Sequence, residues 1–228
     1  MAEVATWYDA LVDEDWDSAQ QVEDAIDVLA AVGPTLGRPL VDRIKGAEQH
    51  HMKELRPGSS GSGEIRILFA FDPIRRAVLL VAGDKAGDWQ GWYNAHPAGR
   101  EALSKPSRRT RLQGVRMSSV SWEETKRAAR ERRIAAGLPV RTAEEKQAAM
   151  DRLAAEVRAY QLAEVRRDQA LTQRDVAGVM GVSAPRVSAI EHGEVDRTEV
   201  ATLRSYVEAL GGRLRVVADF GDTEYTVA

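Results

Sequence analysis

The chain has 228 residues, with 32 Lys and Arg against 35 Asp and Glu, a formal net charge of −3 and no cysteine. Disulfides, a thiolate nucleophile and thiolate-held zinc are excluded, and any nucleic-acid contact must come from local basic patches instead of a global field. No apolar run is long enough to span a bilayer, and the acidic start MAEVATWYDALVDEDWD lacks the basic region of a secretory signal, so a cytoplasmic protein of one or two domains is expected.

In chain order, Trp7 to Leu11 already reads as helix. Asp17 to Val32 places Val22, Ile26 and Leu29 at helical spacing and stops at Gly33-Pro34. Gly37 to Leu40 continues as loop, and Pro57 to Gly63 (PGSSGSG) reads as a flexible loop, natural because the strand register resumes after it. Glu64 to Phe71 (EIRILFAF) alternates and is rich in β-formers, Asp72 to Arg76 is a turn, and Ala77 to Ala82 (AVLLVA) reads as a central strand buried on both faces. Strand, turn and strand make a hairpin.

Residues 96–121 carry no periodicity. From Arg100 to Arg116 six residues are basic against one acid, which fits a solvated connector better than a nucleic-acid strip. Trp122 to Ala136 and Ala143 to Gln169 are rich in Ala, Glu and Arg and predict helices, with Thr142 and Glu145 as a capping box. Thr198 is expected to cap a helix from Glu199 to Leu210 that stops at Gly211-Gly212. Arg213 to Phe220, Gly221-Asp222 and Thr223 to Val227 read as a terminal hairpin; alone it is marginal in water, so it predicts pairing with a second copy or a neighbour.

Gln173 to His192 (QRDVAGVMGVSAPRVSAIEH) has the pattern of a helix-turn-helix. Ala177 sits where two helices approach closely, and Gly181 supplies the positive φ of the turn. Val176, Met180, Val182, Val187 and Ile190 bury one face of each helix. Pro185 is tolerated in a first turn that Ser183 caps. Residues 160–228 resemble the Xre/Cro-type antitoxins of the HigA kind through LAEVRRDQALTQRDVAGVMGVSAPRVSAIEHGEV and LRSYVEALGGRLRVVADFGD. The resemblance implies a dimer on an inverted-repeat operator, with Gln173 on a phosphate and Ser183, Ala184, Pro185, Arg186, Ser188 and Ala189 toward the groove. Arg186 is the candidate for a guanine or a phosphate. Ala184 and Ala189 replace longer polar side chains, so weaker direct readout is expected. Glu191 is expected to be a structural partner of a helix end.

GRPLVDRIKG, MKELR and RILFAFDP resemble segments of RNA-cleaving RelE/HigB-like toxins, and the resemblance implies metal-free RNA cleavage, which needs a base for the 2′-hydroxyl, cations for the phosphorane and an acid for the leaving oxygen. Arg66 and Lys85 are candidates for the phosphate cations, Lys53 and Arg56 for gripping RNA, His50 or His51 for the base and Tyr93 for the acid, with Trp92 a further stacking candidate. His50, His51, Glu54 and His96 lack the HExxH spacing, so no metal site is expected, and no cofactor signature is present. GRPLVDRIKG, MKELR and RILFAFDP with GDKAG resemble the RelE/HigB-like toxins, specifically the phage-derived Gp49-like branch, over roughly residues 4–93. That resemblance implies cleavage of mRNA on the ribosome. The strand that usually opens such toxins and the helix that closes them are expected to be missing.

The expected fold class is α+β: RelE-like helices with a small antiparallel sheet, then an all-α helix-turn-helix domain ending in a β-hairpin. The expected domains are a toxin domain over 1–95, a basic linker over 96–121, a helical toxin-binding segment over 122–159 and a DNA-binding domain over 160–228. The expected function is a fused toxin–antitoxin, a ribonuclease silenced in cis by a domain that represses its own operon, with the toxin and antitoxin halves expected to pair within one chain or between chains. A linker of about 25 residues sets an effective concentration near millimolar. The alternative is a transcriptional regulator whose first half is catalytically dead. A regulator with a small-molecule pocket in its first half is disfavoured.

Overall fold

The computed structural model describes residues 2–44, 52–85, 121–192, 198–220 and 223–227. They form seven α-helices, a four-stranded antiparallel sheet and a two-stranded ribbon. The chain divides into two compact units, Met1–Leu153 and Ala154–Ala228. No helix among the described residues is long and apolar enough to cross a membrane.

In the first unit, α1 (Ala2–Glu14) and α2 (Trp16–Val32) form a helical pair. Asp15 caps α2 by accepting from the Ser18 amide at 3.0 Å, and Gly33 at φ 70° ends it, where the Gly-Pro stop was predicted. Val4, Tyr8 and Val12 of α1 and Val22, Ile26 and Leu29 of α2 are core residues at helical spacing. The sheet runs β1 (Val41–Arg43), β2 (Met52–Leu55), β3 (Ile65–Phe71) and β4 (Ala77–Asp84) in sequence order. Leu55, Ile67, Leu68 and Phe69 are fully buried within it.

Three expectations need correcting here. The predicted hairpin is β3–β4, but it belongs to a larger sheet, and among the described residues β4 is its last strand, not a central one; Val78 and Leu80 are only half-buried. The central places fall to β2 and β3. The PGSSGSG loop is also tethered: Ser60 donates its hydroxyl to Asp15, and its amide donates to Ser18 Oγ at 2.8 Å. Polar serines here anchor the loop to the start of α2, where composition alone suggested flexibility.

The first unit is completed by α3 (Trp122–Ala135) and the start of α4 (Ala143–Asp168), which carries the boundary between units. Both helices open on capping boxes, Ser121 with Glu124 and Thr142 with Glu145.

In the second unit, α5 (Gln173–Met180), α6 (Ala184–Glu191) and α7 (Val200–Ala209) pack around Val176, Ala177, Val187, Ile190, Tyr206 and Leu210. A third correction falls on α7: its N-cap is Glu199, with no side-chain capping bond, instead of Thr198. The terminal ribbon, β5 (Val217–Asp219) with β6 (Glu224–Thr226), is three residues per strand, shorter than predicted.

Candidate functional site

The sheet gathers one group of charges. Cα pairing sets Glu54 opposite both Asp42 and Leu68, and Arg66 opposite Gly83. With a period of two, Asp42, Glu54, Arg66 and Lys85 share a face. Glu54 lies at its centre with its side chain 1% exposed. Arg56 Nε donates to Glu54 Oε1 at 2.9 Å, Arg66 Nε stands 3.3 Å from the same oxygen, and Lys85 Nζ is 3.7 Å from Oε2. Arg56 also reaches Asp42 at 3.0 Å, and Arg66 reaches Glu64 at 3.4 Å. Burial pushes the Lys85 ammonium below its ordinary pKa; Glu54 opposes this and the Arg66 and Arg56 charges add to it.

Three of the predicted cations, Arg56, Arg66 and Lys85, are therefore brought together. Lys53, paired with Phe69, points to the opposite face; its ammonium donates to the Pro34 carbonyl at 3.1 Å and lies 5.6 Å from the Phe71 ring centre. Burial, then the Arg43 charge, lowers its pKa. His50, His51, Trp92, Tyr93 and His96 lie outside the described residues. Sequence reading missed Glu54 as the hub, since its partners are far away in the chain. The available signal was a lone carboxylate inside the apolar-flanked MKEL strand.

A second group forms where α3, the following loop and the start of α4 meet α1 and α2. Arg141 grips Asp24 in a fork, both N–O distances 2.8 Å. Lys126 and Lys146 both reach Asp27, at 2.7 and 2.6 Å, and Lys146 also reaches Glu23 at 2.6 Å. Arg132 pairs with Asp9 at 2.8 Å. Trp122 meets Tyr8 edge to face at 4.8 Å and donates its indole N–H to Asp27 at 3.2 Å, while Arg133 stacks 4.0 Å over the Trp16 ring. The face of α1 and α2 is acidic and the segment covering it is basic. Burial raises the pKa of Asp27, but bonds from Lys126 and Lys146 outweigh it and hold the carboxyl below its usual range.

In the second unit Thr172 and Asp175 form a capping box on α5, and Gly181 ends it in the left-handed region at φ 67°. The Val182 amide donates to Ala177 O at 3.0 Å, closing the turn. Ser183 is the N-cap of α6 and Pro185 lies in its first turn, as the sequence predicts. Ser183 and Pro185 are exposed; Ala184, Arg186, Ser188 and Ala189 are half-buried. Behind this surface Glu191, 7% exposed, receives a fork from Arg166 at 2.6 and 2.8 Å, the Tyr206 hydroxyl at 2.8 Å and the Gln173 amide at 2.9 Å. Burial raises the Glu191 pKa, and the Arg166, Gln173 and Tyr206 bonds more than reverse it. Glu191 thus joins α4, α5, α6 and α7, a larger role than the expected helix-end partner. Gln173, expected on a phosphate, spends its side-chain amide on this carboxylate.

Residues 10–98 match the family described as phage-derived protein Gp49-like, and residues 140–219 match a helix-turn-helix domain family. From Mycobacterium tuberculosis, the putative toxin HigB3 is 50% identical over 41% of this chain and 77% of its own length. The putative antitoxin HigA2 is 46% identical over 34% of this chain and 76% of its own length. The chain belongs to the HigB–HigA toxin–antitoxin family. It is a fusion, with a HigB-like half ahead of a HigA-like half. The putative toxin HigB2 is 43% identical over 49% of this chain, and the chain spans 59% of that relative's length. A solved structure described as DNA bound antitoxin HigA3 shares 48% identity over 29% of this chain and 86% of that one, at a TM-score of 0.27.

Proposed function

We propose that the protein is a self-captured ribonuclease toxin of the cytoplasm whose antitoxin half binds operator DNA and represses the operon encoding it. The observation that carries this reading is the docking of residues 122–146 on α1 and α2 through Asp9, Glu23, Asp24 and Asp27. A basic segment folded onto an acidic face of a toxin-like domain is an inhibitor in place.

The toxin chemistry is assigned to the Glu54 cluster. Arg66 and Lys85 are the cations for the scissile phosphate, and Arg56 extends the grip along the RNA. Glu54 is a positioning residue: with its side chain 1% exposed it holds the cations and does not reach substrate. One of His50 and His51 is assigned as base and Tyr93 as acid, on residue type alone. The polar contacts of the captor described above all go to α1 and α2. Capture therefore works by covering those helices and not by filling the cluster, which keeps the toxin half from its target, mRNA on the ribosome.

For DNA, α6 is the recognition helix, with Ser183, Ala184, Pro185, Arg186, Ser188 and Ala189 on its reading side, and a homodimer meets an inverted repeat. The small side chains at Ala184 and Ala189 leave Arg186 as the principal reader.

The deciding experiment is induction of residues 1–116 alone beside the whole chain, with RNA-cleavage mapping. Growth arrest and cut mRNA from the fragment only are expected, relieved by Arg66→Ala or Lys85→Ala. One feature favours a second reading, a regulator with a silent first half: Arg66 and Lys85 are both committed to Glu54. A well-folded fragment that neither arrests growth nor cuts RNA would establish that reading.

A further inference from the structure

The docking face encloses a cavity of about 250 Å³. Tyr8, Trp16 and Glu23 line it from α1 and α2. Lys126, Arg127 and Arg130 of α3, with Arg141 and Lys146, line the other side. Five cations thus face one space that holds two carboxylates, Glu23 and Glu123.

Their partners separate these cations into two sets. Lys126, Arg141 and Lys146 are matched by Asp27, Asp24 and Glu23, and they hold the interface together. Among the described residues Arg127 reaches only its neighbour Glu131, at 3.8 Å, with both side chains about 70% exposed, a contact that water screens heavily. Arg130 has no ion pair or hydrogen bond among the described residues. Arg127 and Arg130 are three apart on a helix and so sit side by side. Two guanidiniums with unspent donors beside a cavity match the oxygens of a phosphate group.

We propose that this cavity binds a small phosphorylated ligand, its phosphate held by Arg127 and Arg130. The site exists only in the docked state, because its walls come from both captor and captive. Binding therefore favours capture: by linkage, a ligand at about 100 times its Kd raises the ratio of docked to undocked chain about 100-fold. A fall in that ligand loosens the captor. No local motif announces the site, since its walls are a hundred residues or more apart in the chain.

This inference rests on the docking read above as capture, yet its test is separate from toxicity. The full chain is titrated by calorimetry with inorganic phosphate, pyrophosphate and adenosine monophosphate, with sodium chloride at matched ionic strength as control. Amide exchange of α3 is followed in parallel. A Kd tighter than about 1 mM for at least one phosphate probe is expected, with slower exchange in α3. Tightest binding by adenosine monophosphate identifies a nucleotide site; tightest binding by pyrophosphate identifies a site for the bare phosphoryl group. The double variant Arg127→Ala/Arg130→Ala should lose binding and keep the ligand-free melting temperature. Absent binding, binding undiminished in that variant, or an equal effect of chloride would overturn the proposal. The toxin–antitoxin reading would survive each of these results, since it is tested by growth arrest.

Discussion

At the scale of single residues the molecule turns on two buried carboxylates. Glu54 collects Arg56, Arg66 and Lys85, and removing its charge takes a carboxylate from the buried Lys85 ammonium, while Arg56 keeps Asp42 and Arg66 keeps Glu64. Glu54→Gln should destabilise the first unit by about 3–5 kcal/mol, read by urea unfolding. If the fragment still folds, its cleavage–pH profile should shift on the alkaline limb, because Lys85 then loses the neighbour that supports its charged form. Glu191 plays the matching part in the second unit. Its pKa is depressed in the fold, so its contribution is complete above the ordinary carboxylate pKa and is lost as pH falls through the depressed one. Arg166→Met should cost the second unit about 3–5 kcal/mol near neutral pH and flatten the acid dependence of its stability, because Glu191 then loses the partner that depresses its pKa, measured by circular dichroism against pH. At the DNA surface, Arg186→Ala should weaken operator binding by about 1–3 kcal/mol at fixed salt; an unchanged Kd would remove Arg186 as a reader.

At the scale of elements, the turn between α5 and α6 depends on one backbone conformation. Gly181 sits at φ 67° and a Cβ there would meet nothing within 4 Å, so Gly181→Ala should cost only the backbone strain, about 1–2 kcal/mol, in thermal unfolding of the second unit. The captor elements depend on charge instead. Asp24→Ala leaves Arg141 facing a vacated partner and should weaken docking by about 2–5 kcal/mol, seen as faster amide exchange in α3 and α4. Elements like these were legible when their signal was local. The Thr142–Glu145 capping box, the Gly181 turn and the β3–β4 strands each show within a short window of sequence. β1 and β2 did not show, because three and four residues are too few to display alternation and their partners come later in the chain. The docking face was invisible for the same reason: Trp122 with Asp27, and Lys146 with Glu23, are 95 and 123 residues apart. The hubs at Glu54 and Glu191 draw on distant partners too, whereas the cation types at Arg56, Arg66 and Lys85 were readable from phosphate chemistry alone.

At the scale of the whole molecule, capture is an electrostatic bond with a pH window. Asp27 is depressed below 3.8, so docking is complete above that value and weakens as pH falls through the depressed one. Lys146 is raised above 10.5: burial lowers it, but bonds to Asp27 and Glu23 win, so its contribution is lost only as pH climbs through the raised value. Amide exchange of α3 should therefore be flat in free energy from about pH 5 to pH 9, which leaves mild acidification unable to open these contacts. The docking contacts also lie within a single covalent unit, Met1–Leu153. Opening and closing are then first-order events, and their balance contains no concentration. A pair of separate proteins drifts apart as a growing cell dilutes it or as one partner is made in excess, whereas this chain carries the same proportion of guarded and unguarded molecules whether the cell holds ten copies or ten thousand, as orders of magnitude. Under the proposed capture, protein abundance is thus closed as a route to opening these contacts, and only a change made to the molecule, or to what it binds, remains.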